Sequence, residues 1–258
     1  MSLDIVAGAI SSTLFFAKFF QIKILPSGLI ALSLTVWIIY TADHLIDAKR
    51  IKGQAASERH RFHQKYFKTL VIFLSIAFII DLIQLFFIRK QVFVGGIFLA
   101  LIVAIYFLIQ GYLKFLKELM GAILYTGGIL LIPLSVKNSL LSQAQIILIV
   151  QFFVIALTNL ILFSWFGISQ DELDNHKSFA TTFGNLITKR IVTLLLICTL
   201  GLSIYNFQNA PIEVLILVAM SLILGLILVI KDWSANEDRY RLLGDAIFLI
   251  PLIYVLIK

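Results

Sequence analysis

The chain has 258 residues, 60% hydrophobic and 14% charged, with a mean hydropathy of +1.01 and a net charge of +7. A soluble domain is about 45–50% apolar and about 25% charged, so this composition excludes a water-soluble globule. The positive charge sits in short segments between apolar runs, which speaks against a nucleic-acid partner, and the single Cys198 excludes an intrachain disulfide or a cysteine metal site.

A helix of about 20 apolar residues crosses a hydrocarbon core of about 30 Å. On that measure the sequence predicts spans at 3–22, 27–46, 67–88, 92–111, 117–136, 144–168, 189–207, 211–231 and 240–257. Met1-Ser2-Leu3-Asp4 lacks the basic start of a cleavable signal peptide, so the first span is expected to be retained. Pro26-Ser27-Gly28, Arg89-Lys90, Lys137-Asn138-Ser139 and the stretch from Asn206 to Pro211 punctuate the breaks. The longest polar segment, Lys49 to Lys68, is too short for a separate domain. Residues 1–258 are therefore read as one all-α, polytopic membrane bundle of about nine helices.

With nine spans, the loops after spans two, four, six and eight share one face. That face collects fifteen of the Lys and Arg residues and the other face six. The positive-inside rule makes the first face cytoplasmic, with the N-terminus on the same side, as in a bacterial inner membrane. Trp165 and Trp233 fall near cytoplasmic span ends, where interfacial anchors belong, whereas Trp37 lies mid-span.

Acidic residues cluster twice on that face. Asp43-His44-Leu45-Ile46-Asp47 ends span two, and Asp171-Glu172-Leu173-Asp174 follows span six. On a helix, Asp43 and Asp47 stand one turn apart and repel, so a cation between them is a reasonable inference. Four carboxylates (Asp43, Asp47, Asp171 and Asp174) could hold Mg2+, which takes oxygen ligands and shares them with substrate phosphate. Lys49, Arg50, Arg59, Arg61, Lys117 and Lys177 would hold the phosphate oxygens. The same spacing also suits solvated carboxylates at helix ends.

At these residues the chain resembles the UbiA superfamily of membrane prenyltransferases, which has nine transmembrane helices and Asp-rich motifs after helices two and six. The family's first motif reads approximately N-D-x-x-D-x-x-x-D. Ile39 to Asp47 keeps its last two Asp residues and carries Ile39 and Tyr40 in place of the leading Asn and Asp. Ser57-Glu58-Arg59-His60-Arg61-Phe62-His63 stands where the family has a basic loop, without its Pro. Leu116-Lys117-Glu118-Leu119 with Gly127-Gly128 is similar to the family's Lys-containing entry to helix five. The second motif, commonly D-x-x-x-D followed by a basic residue, Thr and Gly, is matched by Asp174, Lys177, Thr181 and Gly184, with Asp171 one residue closer than usual.

The resemblance implies transfer of an isoprenyl group from a polyprenyl diphosphate to a lipophilic or aromatic acceptor. Asp43, Asp47, Asp171 and Asp174 would be the catalytic and Mg2+-binding residues. A small transporter would need polar midplanes, and here the charges gather at one face. A non-catalytic isoprenoid-binding member of the family is the remaining alternative.

Other polar residues carry local expectations. Asn159 would touch an acceptor or make an interhelical contact, and Asp81 would be functional or hydrogen-bonded between helices. His60 and His63 are expected to be solvated or to contact phosphate, and Gly127-Gly128 to permit close helix packing.

Overall fold

A computed structural model describes residues 3–51, 53–55, 57–235 and 238–257, apart from the Arg59 side chain. Every regular element in it is helical. Among the described residues six helical stretches are long and apolar enough to cross a membrane. One of them, Lys90–Val136, has 47 residues, about 70 Å of helix and more than twice the hydrocarbon core. It turns back at Lys114, whose φ is 48°, through a 3₁₀ turn at Lys114–Leu116. The two arms, α5 (Lys90–Leu113) and α6 (Lys117–Val136), pack against each other.

The chain enters as α1 (Leu3–Phe19) and α2 (Pro26–Arg50). Pro26 suits the first helical position, where no N–H is needed. α2 continues one turn beyond its predicted end, so Asp43 and Asp47 are both helical. The polar segment behind it contains a helix that apolar periodicity does not announce, α3 (Glu58–Lys65), capped by Ser57 Oγ accepting from His60 N–H at 3.2 Å. α4 (Phe67–Gln84) follows. After α6 come α7 (Gln143–Phe166), the short α8 (Ile168–Leu173) and α9 (Phe179–Asn206).

α9 begins ten residues earlier than predicted, so Lys189 and Arg190 lie within the helix rather than before it. Its early start rests on a capping box between Ser178 and Thr181 and on a break at Gly184, which takes φ 79° and ψ 165°. α10 (Pro211–Val229) and α11 (Lys231–Ala235) precede the last predicted span. That span is interrupted, as α12 (Arg239–Ala246), a 3₁₀ turn at Ile247–Leu249 and α13 (Pro251–Leu256). Pro251 removes a helical donor there. Lys18 Nζ of α1 donates to the carbonyls of Tyr254 at 2.8 Å and of Ile257, meeting the unpaired C-terminal acceptors of α13.

α7 is the central helix, packed against α6, α9, α10 and α12. Phe16 of α1, Phe152 of α7 and Phe248 form an edge-to-face chain with ring centroids 5.3 and 5.8 Å apart. α4 and α5 turn Ile72, Phe73, Ile102 and Leu108 outward, which only a lipid solvent tolerates.

Small residues act elsewhere than expected. A Cβ on Gly128 would meet nothing within 4 Å, and one on Gly127 would make ordinary contact with Leu99. The tightest approach among the described glycines is at Gly244 of α12, where a Cβ would collide with Asn159 and Phe163 of α7. Trp165 is buried rather than interfacial and donates to the Asn185 carbonyl at 3.1 Å, because α9 starts early enough to cover it. Trp233 is exposed, with Arg239 over its ring.

Candidate active site

The last two turns of α2 present Asp43, His44 and Asp47. The repulsion expected between the two carboxylates is relieved by Lys117 at the start of α6. Its Nζ lies 2.5 Å from Asp47 Oδ2 and 3.9 Å from Asp43 Oδ2. Tyr106 of α5 donates its hydroxyl to Asp43 Oδ1 at 3.2 Å. Asp47 is buried, and among the described residues its Oδ1 has no hydrogen-bond partner.

The second acidic cluster reaches the same place through backbone geometry. α8 carries Asp171, and Asn175 in the left-handed conformation (φ 51°) turns the chain back. His176 N–H then bonds the Asp171 carbonyl at 2.7 Å. This aims the His176 ring between the motifs: Nε2 is 3.6 Å from Asp47 Oδ2 and Nδ1 is 3.8 Å from Asp171 Oδ1. His60 of α3 reaches Asp174 Oδ2 at 3.4 Å. Glu118 accepts from Phe179 N–H at 2.7 Å, and Ser164 Oγ accepts from Ala180 N–H at 2.8 Å. The N-terminus of α9 is thereby fixed against α6 and α7.

All four histidines of the chain gather around the carboxylates. The ring of His44 lies 5.1 Å from His63 and 6.3 Å from His60, and His60 lies 6.5 Å from His176. His63 is buried and His60 half-buried, so the expectation of solvated histidines does not hold: α3 folds back over the end of α2. Burial holds His60 below the usual imidazole pKa. The hydrogen bond to Asp47 raises His176 above it, so the bridging imidazole is disposed to carry a proton. Burial raises the Asp171 carboxyl.

Of the basic residues predicted for phosphate, Lys117 touches the carboxylates. Arg61 turns to the Ala55 carbonyl at 3.2 Å and to Glu58 at 3.7 Å. Arg50 lies against Gly111, and Lys177 is exposed. The Arg59 side chain lies outside the described residues. Asn159 is buried deeper in α7, against Gly244, so its contact is interhelical. Asp81 accepts from Thr35 Oγ1 at 2.7 Å between α4 and α2.

Sequence reasoning did not assign roles to Tyr106, Glu118, His44 or His176, and read Arg241 as a partner of Asp245. A signal was present for His44 and His176, since both lie inside or beside the acidic motifs.

The oxygen donors suit a hard divalent ion, and the buried, unpartnered Asp47 Oδ1 is the kind of atom such an ion satisfies. Among the described residues no three His, Cys, Asp or Glu side chains are arranged to hold a metal. Lys117 and His176 stand between the carboxylates and take the neutralising role.

Neither a family model nor a curated sequence matches the chain. Solved structures do. A UbiA homologue from Archaeoglobus fulgidus bound to DMAPP and Mg2+ is similar at TM-score 0.63 and 13% identity, over 99% of both chains. A UbiA homologue from the same organism bound to GPP and Mg2+ gives TM-score 0.64 and 14% identity, over 98% of both chains. A structure of digeranylgeranylglyceryl phosphate synthase in membranes gives 0.58 and 15%, over 98% of this chain and 93% of that chain. At such identity the likeness is one of architecture, and the chain has the UbiA fold.

Proposed function

We propose that the chain is an intramembrane prenyltransferase that moves an isoprenyl group from a polyprenyl diphosphate to a lipophilic or aromatic acceptor, with Mg2+. One observation carries the reading: two acidic motifs far apart in sequence meet around Lys117 and His176 in a fold shared with proteins solved with DMAPP or GPP and Mg2+. The positive-inside count puts this face in the cytoplasm.

Asp43, Asp47, Asp171 and Asp174 would hold Mg2+ only once Lys117 and His176 give way from between them, and the ion would then supply positive charge to the departing diphosphate. Lys117, released from Asp47, turns its ammonium to the phosphate oxygens and stabilises the negative charge that grows as the allylic C–O bond breaks. Tyr106 keeps Asp43 oriented. Glu118 and Ser164 hold the start of α9, and with it His176, in register. The isoprenoid tail would lie in an apolar chamber between helices, open to lipid, that keeps water from the allylic cation. Tyr40 stands where the family motif has Asp, 4.5 Å from the His44 ring, so the first motif works with fewer carboxylates than the family pattern.

Calorimetry in detergent with geranyl diphosphate tests the reading. Binding should require Mg2+ and be lost in Asp47→Asn and Asp174→Asn. A folded wild-type protein that binds no prenyl diphosphate would rule it out, and binding without turnover across an acceptor panel would favour the non-catalytic isoprenoid binder.

A further inference from the structure

Arg241, in the first turn of α12, is read from the sequence as part of the basic face and as an i−4 partner of Asp245. The structure gives it a defined aim. Tyr240 stacks on Phe166 at the end of α7, with ring centroids 4.5 Å apart and planes 14° from parallel. It also packs edge-on against Phe163 at 5.8 Å. These contacts fix α12 over the α7–α8 junction. Arg241 Nε donates to Tyr240 Oη at 2.8 Å, which orients the guanidinium.

The forward edge of that guanidinium lies over Gly167. A Cβ on Gly167 would sit 3.7 Å from Arg241 Nη2 and 4.0 Å from Asp171 Oδ2. Arg241 and Asp171 thus flank the same glycine. They do not close an ion pair, and among the described residues neither Nη of Arg241 has a hydrogen-bond partner. The side chain is half-buried, with Tyr240 as its partner through Nε and with Cζ 5.4 Å from the Tyr240 ring centroid, so its two Nη groups are the ones left for a ligand. An arginine and an aspartate that share a glycine but stay apart leave room for a third group. A phosphate accompanied by its cation satisfies both side chains, while a lone cation or a lone anion satisfies one.

We propose that Arg241 is a substrate-binding residue that holds diphosphate oxygens on the Asp171 side of the site, as Lys117 does on the Asp47 side. The inference rests on reading the site as one for a diphosphate. The planar fork of arginine matches two phosphate oxygens at once. Gly167 keeps the space between the two side chains open, since a Cβ there would crowd the Phe163 carbonyl at 3.2 Å and reach van der Waals contact with the guanidinium.

The test is calorimetry on the full chain in detergent with Mg2+, using inorganic pyrophosphate and geranyl diphosphate as separate probes. Arg241→Gln should weaken both by about tenfold or more, the value of a charge-assisted hydrogen bond to a buried group. Arg241→Lys should recover part of the loss, and melting temperatures should stay near wild type. If Arg241→Gln is not monodisperse, Tyr240→Phe keeps the ring stacked, removes only the aiming hydroxyl, and should weaken both probes by about threefold.

Wild-type affinity in the folded variants would overturn the assignment and leave the prenyl-diphosphate reading standing. Wild-type protein that binds pyrophosphate but not geranyl diphosphate, with the Arg241→Gln loss intact, would keep the assignment and remove the prenyl reading. Binding of neither probe would remove both.

Discussion

The Lys117 ammonium stands 2.5 Å from the Asp47 carboxylate, a contact between side chains 17% and 5% exposed. A pair this buried contributes little over an apolar substitute, but removing one partner strands the other charge.

Lys117→Met should therefore cost about 3 kcal/mol of stability in metal-free protein. Mg2+ should restore part of the loss, because it can neutralise the stranded carboxylates. Adding Asp47→Asn to Lys117→Met should also recover stability, since the unpaired charge is then gone. Thermal melts in detergent, with EDTA and with Mg2+, check both statements. A Lys117→Met melt unchanged from wild type in EDTA would show that the ion pair is not formed.

His176 predicts a pH dependence. Its proton is held more tightly than at the usual imidazole value of 6.5, first because of the hydrogen bond to Asp47. A group that binds its proton better in the folded state adds stability that is complete below 6.5 and is lost as pH rises through the higher folded value. Asp171, raised by burial, works in the same direction in a window that opens near 3.8. Metal-free protein should thus melt at lower temperature as pH climbs above neutrality, and His176→Gln should flatten that part of the profile. Added Mg2+ should stabilise increasingly as pH rises, because it competes with the His176 proton for the same carboxylates. A metal-free profile identical in wild type and His176→Gln would contradict the bridge.

The acidic pairs were legible in the sequence because a 3.6-residue period fixes the spacing of Asp43 and Asp47 without tertiary information. What neutralises them was not legible. Lys117 is named by the family resemblance, but its partner is chosen by how α6 packs against α2. The segment 49–68 has no apolar stripe to announce α3, and nothing local put His60 and His63 under cover. Asn175 and Gly184 set the path of the second motif through positive φ values, which neutral residue identities do not demand. Pro251, by contrast, lay inside the last predicted span and was a readable cause of its interruption.

Gly244 and Gly128 form a contrasting pair. A Cβ on Gly244 would drive into Asn159 and Phe163, while one on Gly128 meets nothing within 4 Å. Gly244→Ala should cost about 2 kcal/mol or more through overpacking. Gly128→Ala should be neutral or raise the melting temperature slightly, since alanine is the better helix former. Equal effects of the two changes would show that α12 does not seat against α7 as described.

Gly184 tests whether the bend in α9 serves the site. Its φ of 79° and ψ of 165° lie where essentially only glycine is at ease, and no atom within 4 Å would obstruct a Cβ. Gly184→Ala therefore isolates the backbone term and should cost about 1–3 kcal/mol. Gly201, in the same helix, also has open space around it but ordinary helical backbone, so Gly201→Ala supplies the matched control and should not destabilise. The capped turn from Phe179 to Phe183 is held on its other side by Glu118 and Ser164. Straightening α9 would have to pull that turn away from them, and His176, three residues upstream of Phe179, would move with it. Gly184→Ala should then lower Mg2+-dependent diphosphate affinity as well as melting temperature, whereas Gly201→Ala should change neither. A Gly184→Ala protein that melts lower but binds diphosphate as wild type does would separate the bend from the site and make it a packing device alone.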